Sequence, residues 1–171
     1  MAVEIERKFL VVGDGWRRDA GEGQRVCQGY VAKTPRGTVR VRRIGAKATL
    51  AVKSRRSGIS RHEFEFEVPL QEAEVMLREI CARPLIEKVR YRAPYGDLVW
   101  EVDVYGGDAE GLVLAEVELE REDQVIDLPG WIGSEVTHDL RYRGSAVASG
   151  AWRAAGGAAR TPLQPVARNL S

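Results

Sequence analysis

The chain has 171 residues, which suits one domain, because two independent cores would each fall near the small end of the usual range. Charged residues make up 30% of it, but 26 Lys and Arg nearly balance 25 Asp and Glu, so the net charge of +1 gives no general reason to expect nucleic acid or an anionic membrane as a partner. No stretch approaches the roughly 20 apolar residues that span a bilayer, and the acids in residues 1–10 are unlike a signal peptide, so we expect a cytoplasmic protein.

Up to about Val147 the sequence consists mostly of short alternating runs separated by Gly, Pro and Asp, which predicts many antiparallel strands. The eight predicted strands are Val3–Val12, Gln24–Ala32, Gly37–Ile44, Ala46–Lys53, Ser60–Val68, Ile86–Ala93, Leu98–Tyr105 and Leu112–Glu120. Eight strands suit a closed or nearly closed sheet. The predicted fold class is therefore mainly β, with helices as minor α+β elements.

Two segments depart from the strand pattern. Apolar residues at helical spacing predict an amphipathic helix over Leu70–Ala82. A shorter helix is predicted over Ala146–Ala151, with Ser145 as its N-cap. The end of the chain is rich in Ala, Gly and Pro without periodicity, which is typical of a flexible segment. We therefore expect one domain over residues 1–150 and a flexible tail over 151–171.

Charged and apolar side chains alternate along most of the predicted strands, so each strand has one charged face. The charges are sorted by sign within a strand. The acidic groups are Glu4 and Glu6; Glu63, Glu65 and Glu67; Glu101 and Asp103; and Glu116, Glu118 and Glu120, while the basic groups are Arg40 and Arg42, and Lys88, Arg90 and Arg92. An ordinary solvated face would also alternate, but it would mix the two signs and add Thr, Ser and Gln.

This sorting has an energetic consequence. Carboxylates two residues apart on a strand lie about 6.6 Å from each other and repel by about 0.6 kcal/mol in water, or about 2.5 kcal/mol at an effective dielectric constant of 20. Divalent cations such as Mg²⁺ or Mn²⁺ would relieve the acidic strands, and the oxygens of an oligophosphate would satisfy the basic ones. Alternation alone does not say which face points inward, because a barrel with apolar residues inside fits the same pattern.

The opening ExExK run, Glu4-x-Glu6-x-Lys8, resembles the signature of the CYTH superfamily, the triphosphate tunnel metalloenzymes. Further motifs fall in the order typical of that family: Gln28-Gly29-Tyr30, Val39 to Arg42, Leu50 to Lys53, Arg61-x-Glu63-x-Glu65, Glu87 to Tyr91, Glu101-x-Asp103, Glu116-x-Glu118 and Val136 to Tyr142. The resemblance covers nearly all of residues 3 to 147 and is to short bacterial tripolyphosphatase-like members. It implies an eight-stranded antiparallel closed β-barrel, a triphosphate tunnel with a charged interior and a few covering helices.

The resemblance also implies roles for individual residues. The expected metal-binding residues are Glu4 and Glu6, with Glu116 or Glu118, while Glu63, Glu65 and Asp103 match positions for a second metal or for ordering water. The expected phosphate-binding residues are Lys8, Arg40, Arg42, Lys53, Lys88, Arg90 and, as a weaker candidate, Arg141. In similar short members a lysine of the ExExK run pairs with a tyrosine in hydrolysis, which points here to Lys8 and Tyr30 as catalytic residues.

The predicted function is metal-dependent hydrolysis of inorganic tripolyphosphate with Mg²⁺ or Mn²⁺. The alternatives are a class IV-type adenylate cyclase, a thiamine or nucleoside triphosphatase, and a non-catalytic polyphosphate-binding module. The four tryptophans read as packing or tail residues, so the sequence offers no obvious aromatic pocket for a base, which favours the inorganic substrate. The expected partner is tripolyphosphate or another triphosphate, without nucleic acid or membrane, and a homodimer is an assembly that the sequence allows.

Overall fold

The computed structural model describes residues 3–155. Nine strands are present in that part of the chain: β1 Val3–Val11, β2 Gln24–Thr34, β3 Gly37–Ile44, β4 Lys47–Ser54, β5 Ser60–Glu67, β6 Ile86–Tyr95, β7 Leu98–Tyr105, β8 Val113–Glu118 and β9 Ile132–Glu135. The helices are α1 Leu70–Val75, which continues as a π-helical turn over Met76–Ile80, and α2 Gly144–Val147. Short 3₁₀ turns occupy Gly15–Arg18, Gly107–Ala109, Leu140–Tyr142 and Ala151–Ala155.

The first eight strands form a closed antiparallel ring in the order β5-β4-β3-β2-β6-β7-β8-β1. The ring closes because β1 pairs with β8 on one edge, where Glu6 faces Glu118, and with β5 on its other edge, where Glu4 faces Arg61. This arrangement confirms the predicted eight-stranded fold. The ninth strand, Ile132–Glu135, pairs with the end of β1 and was not predicted, because four residues that include Gly and Ser carry no alternation.

The register of the ring gathers the charged residues on its inner side. Lys8 on β1 faces Glu116 on β8, and Lys53 on β4 faces Glu63 on β5. Side chains directly opposite each other on antiparallel strands point to the same face of the sheet, so such pairs line the interior together. The charged interior that the family resemblance implied is therefore the arrangement that the chain adopts.

The outer side of the ring is apolar and is covered by the elements between the strands. Helix α1 and its π-helical turn place Ala73 and Leu77 in one buried cluster with Val41 of β3. On the opposite side, Trp100 of β7 is fully buried and packs edge-on against Phe9, with ring centroids 5.5 Å apart. Burial of such side chains contributes about 1.5–3 kcal/mol each, so the outer clusters stabilise the ring.

The helices follow the sequence with two adjustments. The predicted helix Leu70–Ala82 is observed over residues 70–80, and its last turn is π-helical. The second helix is shorter than predicted, and Ser145 lies inside it without acting as a cap, because no side-chain capping bond forms at its start. No helix in residues 3–155 is long and apolar enough to cross a membrane.

The predicted tail, 151–171, overlaps the described part of the chain at residues 151–155. Residues 151–155 form a 3₁₀ turn, and Trp152 is 6% exposed in a cluster with Ile86 and Tyr105. The Trp152 indole packs against residues of β6 and β7, which composition alone did not indicate. The rest of the predicted tail, 156–171, lies outside the described residues.

Candidate active site

A cavity of about 740 Å³ lies inside the ring and opens toward the turns at its ends. Most of the residues singled out from the sequence line it: Glu4, Glu6, Lys8, Tyr30, Arg40, Arg42, Lys53, Lys88, Arg90, Glu116 and Glu118. They come from strands all around the ring, so closure of the sheet is what brings them together. The acids Glu63, Glu65 and Asp103 lie behind these lining residues as ion-pair partners.

The two acids at the start of β1 are held by bases from the neighbouring strands and loop. Glu4 accepts a hydrogen bond of 2.9 Å from Lys53 Nζ and also pairs with Arg61. Glu6 pairs with Arg56, whose guanidinium also donates to the Glu6 and Ile59 carbonyl oxygens. Arg61 could have been found from the sequence as a basic residue on an otherwise acidic strand face, whereas Arg56 lies in the β4–β5 loop, where no periodicity marks it.

The middle of the cavity is a connected network of three bases and three acids, one of which, Glu101, pairs with Arg90. Glu116 lies 2.7 Å from Lys8 Nζ and 2.9 Å from Arg90. Arg90 also makes a 2.7 Å bond to Asp103, which pairs with Lys88 as well. Asp103 is fully buried, so its carboxylate faces these two bases and does not reach the open part of the cavity. Its carboxylate oxygens are used in the ion pairs with Lys88 and Arg90.

The network changes the protonation behaviour of its members. Burial lowers the pKa of Lys8, but the charges of Glu116 and Glu6 outweigh it and leave that pKa above its usual value. Burial raises the pKa of the Glu116 carboxyl, yet Lys8 and Arg90 bring it well below its usual range. Burial and the like charge of Arg90 lower the pKa of Lys88 to about 8. Lys8 therefore stays protonated, whereas Lys88 loses its proton at moderately alkaline pH.

The two arginines of β3, Arg40 and Arg42, have side-chain donors that are not used in hydrogen bonds. Arg42 pairs with Glu65 at 2.9 Å, and Arg40 lies at 3.7 Å from Glu63 and 3.8 Å from Glu65. The Nε atoms of both arginines are buried without a hydrogen-bond partner in the described structure. A guanidinium group presents a rigid fork of donors that matches phosphate oxygens, so these two side chains fit an anion in the cavity.

Glu118 differs from Glu4, Glu6 and Glu116 because no Lys or Arg among residues 3–155 forms an ion pair with it. Burial and the charges of Glu4 and Glu101 raise the pKa of its carboxyl. A divalent cation would relieve this repulsion, and carboxylate oxygens are the ligands that Mg²⁺ and Mn²⁺ prefer. The donor chemistry thus fits a metal ion, although within the described part of the chain no three Asp, Glu, His or Cys residues are already grouped as a ligand set.

The segment after β9 closes over one end of the cavity beside Lys8 and Tyr30. Lys8 Nζ donates to the Tyr142 carbonyl oxygen at 3.3 Å, and a Cβ atom on Gly144 would come within 2.5 Å of the Tyr30 hydroxyl oxygen. Burial raises the pKa of Tyr30, so its hydroxyl stays protonated. The weaker phosphate-binding candidate, Arg141, is not brought to the cavity: its side chain is exposed and pairs with Asp139 at 2.5 Å.

A ring that encloses matched acids and bases around an interior cavity defines a protein built to surround a small polyanion. The family model described as the CYTH domain matches residues 2–151, and the chain belongs to this family. The predicted family is thereby confirmed.

Relatives with assigned names agree with this placement. The chain is 46% identical over 145 residues to an inorganic triphosphatase of Acetivibrio thermocellus, covering 85% of this chain and 92% of that protein. It is 38% identical over 153 residues to an inorganic triphosphatase of Nitrosomonas europaea, covering 85% of this chain and 96% of the relative. The crystal structure of the inorganic triphosphatase NE1496 superposes with a TM-score of 0.61 at 33% identity, covering 84% of this chain and 96% of that one.

Proposed function

We propose that the chain hydrolyses inorganic triphosphate inside the ring, releasing phosphate and pyrophosphate, with Mg²⁺ or Mn²⁺ as cofactor. The observation that carries the proposal is that cationic side chains from four strands converge on one cavity: Lys8, Arg40, Arg42, Lys53, Lys88 and Arg90. Their charges match a linear triphosphate, whose oxygens accept several hydrogen bonds at once. The names of the two relatives, both inorganic triphosphatases, agree with this activity.

The reaction that the cavity supports is attack of water on a terminal phosphorus in line with the bridging oxygen. The water oxygen bonds to the terminal phosphorus, the bridging P–O bond breaks, and its electron pair leaves with pyrophosphate. One proton of the water stays on the phosphate product, and the other passes to pyrophosphate or to solvent. The bases around the cavity neutralise the charge that develops on the transferred group and on the leaving pyrophosphate. Electrostatic stabilisation by side chains that are already in place is therefore the main source of the rate enhancement.

Lys8 and Tyr30 are the proposed catalytic residues. Because Glu116 keeps Lys8 protonated, its ammonium group donates to the phosphoryl oxygens and does not remove a proton from water. The Tyr30 hydroxyl, which stays protonated beside it, orients the attacking water by a hydrogen bond. Replacing Tyr30 by Phe removes this hydroxyl and should lower kcat more than it raises KM.

Glu4, Glu6 and Glu118 are the residues that we propose hold the metal ion, which supplies positive charge beside the transferred phosphoryl group. Glu6 and Glu118 face each other across the β1–β8 pair, and Glu4 follows on the same face of β1. The other acids that the family resemblance linked to metal are Glu63, Glu65, Asp103 and Glu116, and each of them pairs with bases of the cavity. Glu4 and Glu6 pair with bases as well, but they lie on the strand beside Glu118, which has no ion-pair partner among residues 3–155. We propose that Glu63, Glu65, Asp103 and Glu116 position the bases.

The alternatives with an organic substrate have less support from the cavity. A nucleotide or thiamine substrate would benefit from a stacking surface, but none of the four tryptophans is among the described lining residues. Of the three tyrosines that line the cavity, Tyr105 and Tyr142 are buried in an apolar cluster. A binding module without catalysis would not need the acids of β1, which this chain keeps. The order of preference is therefore inorganic triphosphatase, then nucleoside or thiamine triphosphatase, then adenylate cyclase.

The test is phosphate and pyrophosphate release from tripolyphosphate, ATP and thiamine triphosphate, with Mg²⁺, Mn²⁺ or EDTA present. We expect fast metal-dependent release from tripolyphosphate and a loss of at least about 100-fold in kcat in Glu6→Gln. Glu110→Gln is the matched control, because Glu110 is exposed in a turn away from the cavity and its replacement should leave kcat unchanged. Cyclic AMP and pyrophosphate from ATP would indicate a cyclase, and tripolyphosphate binding without hydrolysis would indicate a binding module.

Assembly as a homodimer, the absence of a nucleic-acid partner and a cytoplasmic location stay predictions of the sequence. The outer face of β5 supplies a surface where a second copy could pack, since Phe64 is 45% exposed and Phe66 is 56% exposed. Sedimentation equilibrium of the whole chain, compared with a Phe66→Ser variant, measures this association directly.

A further inference from the structure

Thr137 bonds to the backbone of Lys8 at the place where strand β1 changes its neighbour. Up to Ile5 this edge of β1 pairs with β5, and from Phe9 onward it pairs with β9. Lys8 lies between these two stretches, and its N–H donates to the Thr137 hydroxyl oxygen at 2.9 Å. The Lys8 carbonyl oxygen accepts a 2.8 Å bond from the N–H of Val136. A threonine side chain therefore takes the place of a ladder carbonyl beside the proposed catalytic lysine.

The hydroxyl group of Thr137 is oriented by an ion pair on the outer side of the ring. Its oxygen lies 2.7 Å from Glu135 Oε1 and 3.4 Å from the Lys8 carbonyl oxygen, so its single proton goes to the nearer and charged acceptor. The lone pairs of the hydroxyl oxygen are then left for the N–H of Lys8. The Glu135 carboxylate accepts two bonds from Arg7, at 3.0 Å from Nε and at 2.6 Å from Nη2. These bonds lower the pKa of the Glu135 carboxyl, which therefore stays an acceptor for Thr137.

The same segment of the chain also contacts the other end of the Lys8 side chain. Five residues after Thr137, the Tyr142 carbonyl oxygen accepts a 3.3 Å bond from Lys8 Nζ, which lies 2.7 Å from Glu116 as well. Tyr142 is 5% exposed in an apolar cluster, so the position of its carbonyl group is fixed by packing. The segment that follows β9 thus holds both the backbone and the ammonium group of Lys8.

We propose that Arg7, Glu135 and Thr137 are positioning residues that set where the Lys8 ammonium group meets the substrate. Arg7 lies over the Phe9 ring, 5.0 Å from its centroid, on the outer face of β1, and neither Arg7 nor Glu135 is among the described lining residues. They therefore act on the phosphates only through Lys8. A displacement of about 1 Å in a catalytic group can lower the rate about 100-fold. The inference rests on the proposed function and adds residues outside the cavity to it.

The test measures kcat and KM for tripolyphosphate at a fixed concentration of free Mg²⁺. In Thr137→Val we expect kcat to fall by about tenfold or more and KM to change by less than about threefold, because Lys8 is displaced while every base of the cavity is kept. Thr137→Ser should keep kcat within about threefold of the wild-type value, since serine retains the hydroxyl group. A wild-type kcat in Thr137→Val, or an equal loss in Thr137→Ser, would overturn the proposal.

A second variant breaks the ion pair itself. Arg7→Gln should lower kcat by about threefold to tenfold, because Glu135 then no longer holds the Thr137 hydroxyl in one orientation. Arg43→Gln is the matched control, since Arg43 makes an outer ion pair of 2.8 Å that joins β3 to α1. Thermal unfolding shows whether each variant is folded at the assay temperature. An equal loss of kcat in Arg7→Gln and Arg43→Gln would also overturn the proposal.

Hydrogen exchange of the Lys8 amide, measured by NMR, tests the contact independently of activity. We expect this amide to exchange at least about tenfold faster in Thr137→Val than in the wild-type chain and in Thr137→Ser. If that difference is found while the wild-type chain hydrolyses no tripolyphosphate, the positioning of Lys8 stands and the hydrolase function is wrong. Equal exchange in all three proteins, with a wild-type chain that hydrolyses tripolyphosphate, overturns the positioning and leaves the function intact.

Discussion

The inner and outer faces of the ring are built from alternate residues of the same strands, yet they are stabilised by different interactions. On the outer face, Trp100 and Val41 are fully buried in apolar clusters under covering loops and helix α1. On the inner face, Lys8, Glu116 and Arg90 are held by ion pairs around a cavity. Apolar burial contributes directly to folding, whereas buried ion pairs roughly offset their own desolvation. The comparison teaches that the outer face carries stability and the inner face carries chemistry.

The largest loss of stability should come from a substitution on the outer face. Replacing Trp100 by Ala removes a side chain that is 0% exposed and packed against Phe9 and Trp131, so we expect the free energy of unfolding to fall by about 3 to 5 kcal/mol. Urea denaturation measures this change in the free energy of unfolding. Phe66→Ala is the control, because Phe66 is 56% exposed on the same face of the ring and should cost less than about 1 kcal/mol. Equal losses in the two variants would show that the outer face is not a packed core.

A smaller loss of stability is expected when a buried ion pair of the inner face is broken. Asp103→Asn keeps the shape of the side chain but leaves Lys88 and Arg90 with less opposing charge, so the free energy of unfolding should fall by about 2 to 3 kcal/mol. The KM for tripolyphosphate should change as well, because the two bases lose their positioning partner. Asp108→Asn, in an exposed turn, serves as the control. A variant as stable as the wild type would mean that inner ion pairs do not fix the bases.

The smallest expected effect is a change with pH in the KM for tripolyphosphate, which arises from the inner face alone. The pKa of Lys88 is about 8 in the folded chain against 10.5 as its ordinary value, so raising the pH through 8 removes a cation from the cavity. The KM for tripolyphosphate should therefore rise severalfold between roughly pH 7 and pH 9. Lys88→Arg should flatten that rise, since arginine stays charged. A wild-type profile as flat as that of Lys88→Arg would rule out titration of Lys88 in this range.

Loss of the Lys88 proton should raise the free energy of unfolding, whereas it lowers the affinity for tripolyphosphate. Between about pH 8 and 10.5 the unfolded chain still binds the proton that folded Lys88 has released. The derivative of the unfolding free energy with pH is positive whenever the unfolded state binds more protons. The contribution of Lys88 to stability therefore increases across that window while the affinity for a polyanion decreases, and denaturation at several pH values, compared with Lys88→Arg, separates the two.

Much of the fold followed from local patterns. The bounds of the eight predicted strands agree with the observed ones to within two residues, because alternation of side chains is a property of each strand by itself. The family assignment also followed, since ordered motifs on successive strands are rarely matched by chance. The short β9 strand and the buried turn around Trp152 were missed, because their order comes from contacts with β1 and with Ile86 that no local pattern records.

Some residues of the candidate site could be predicted from the sequence, and others could not. The residue types and strand faces of Glu4, Glu6 and Lys8 were readable from the sequence, because side chains two apart share a face. The exclusion of Arg141 from the cavity and the arrival of Arg56 and Arg143 were not, since these residues lie in loops or turns whose direction depends on where the strands end. Asp103 was expected among the metal ligands, and its complete burial behind Lys88 and Arg90 was visible only in the folded ring.

By itself the sequence determined which residues share a face, which strands are acidic or basic, and which family the chain belongs to. Apart from the family resemblance, the alternation could not determine which face points inward, because an alternating strand has the same pattern whether its charges line a cavity or meet solvent. The tertiary structure decided this through closure of β1 on β5 and β8 and through the covering of the apolar face by α1 and the loops around Trp100. The physical reason is that burial of apolar surface is a collective property of packed elements, whereas alternation is fixed residue by residue along each strand.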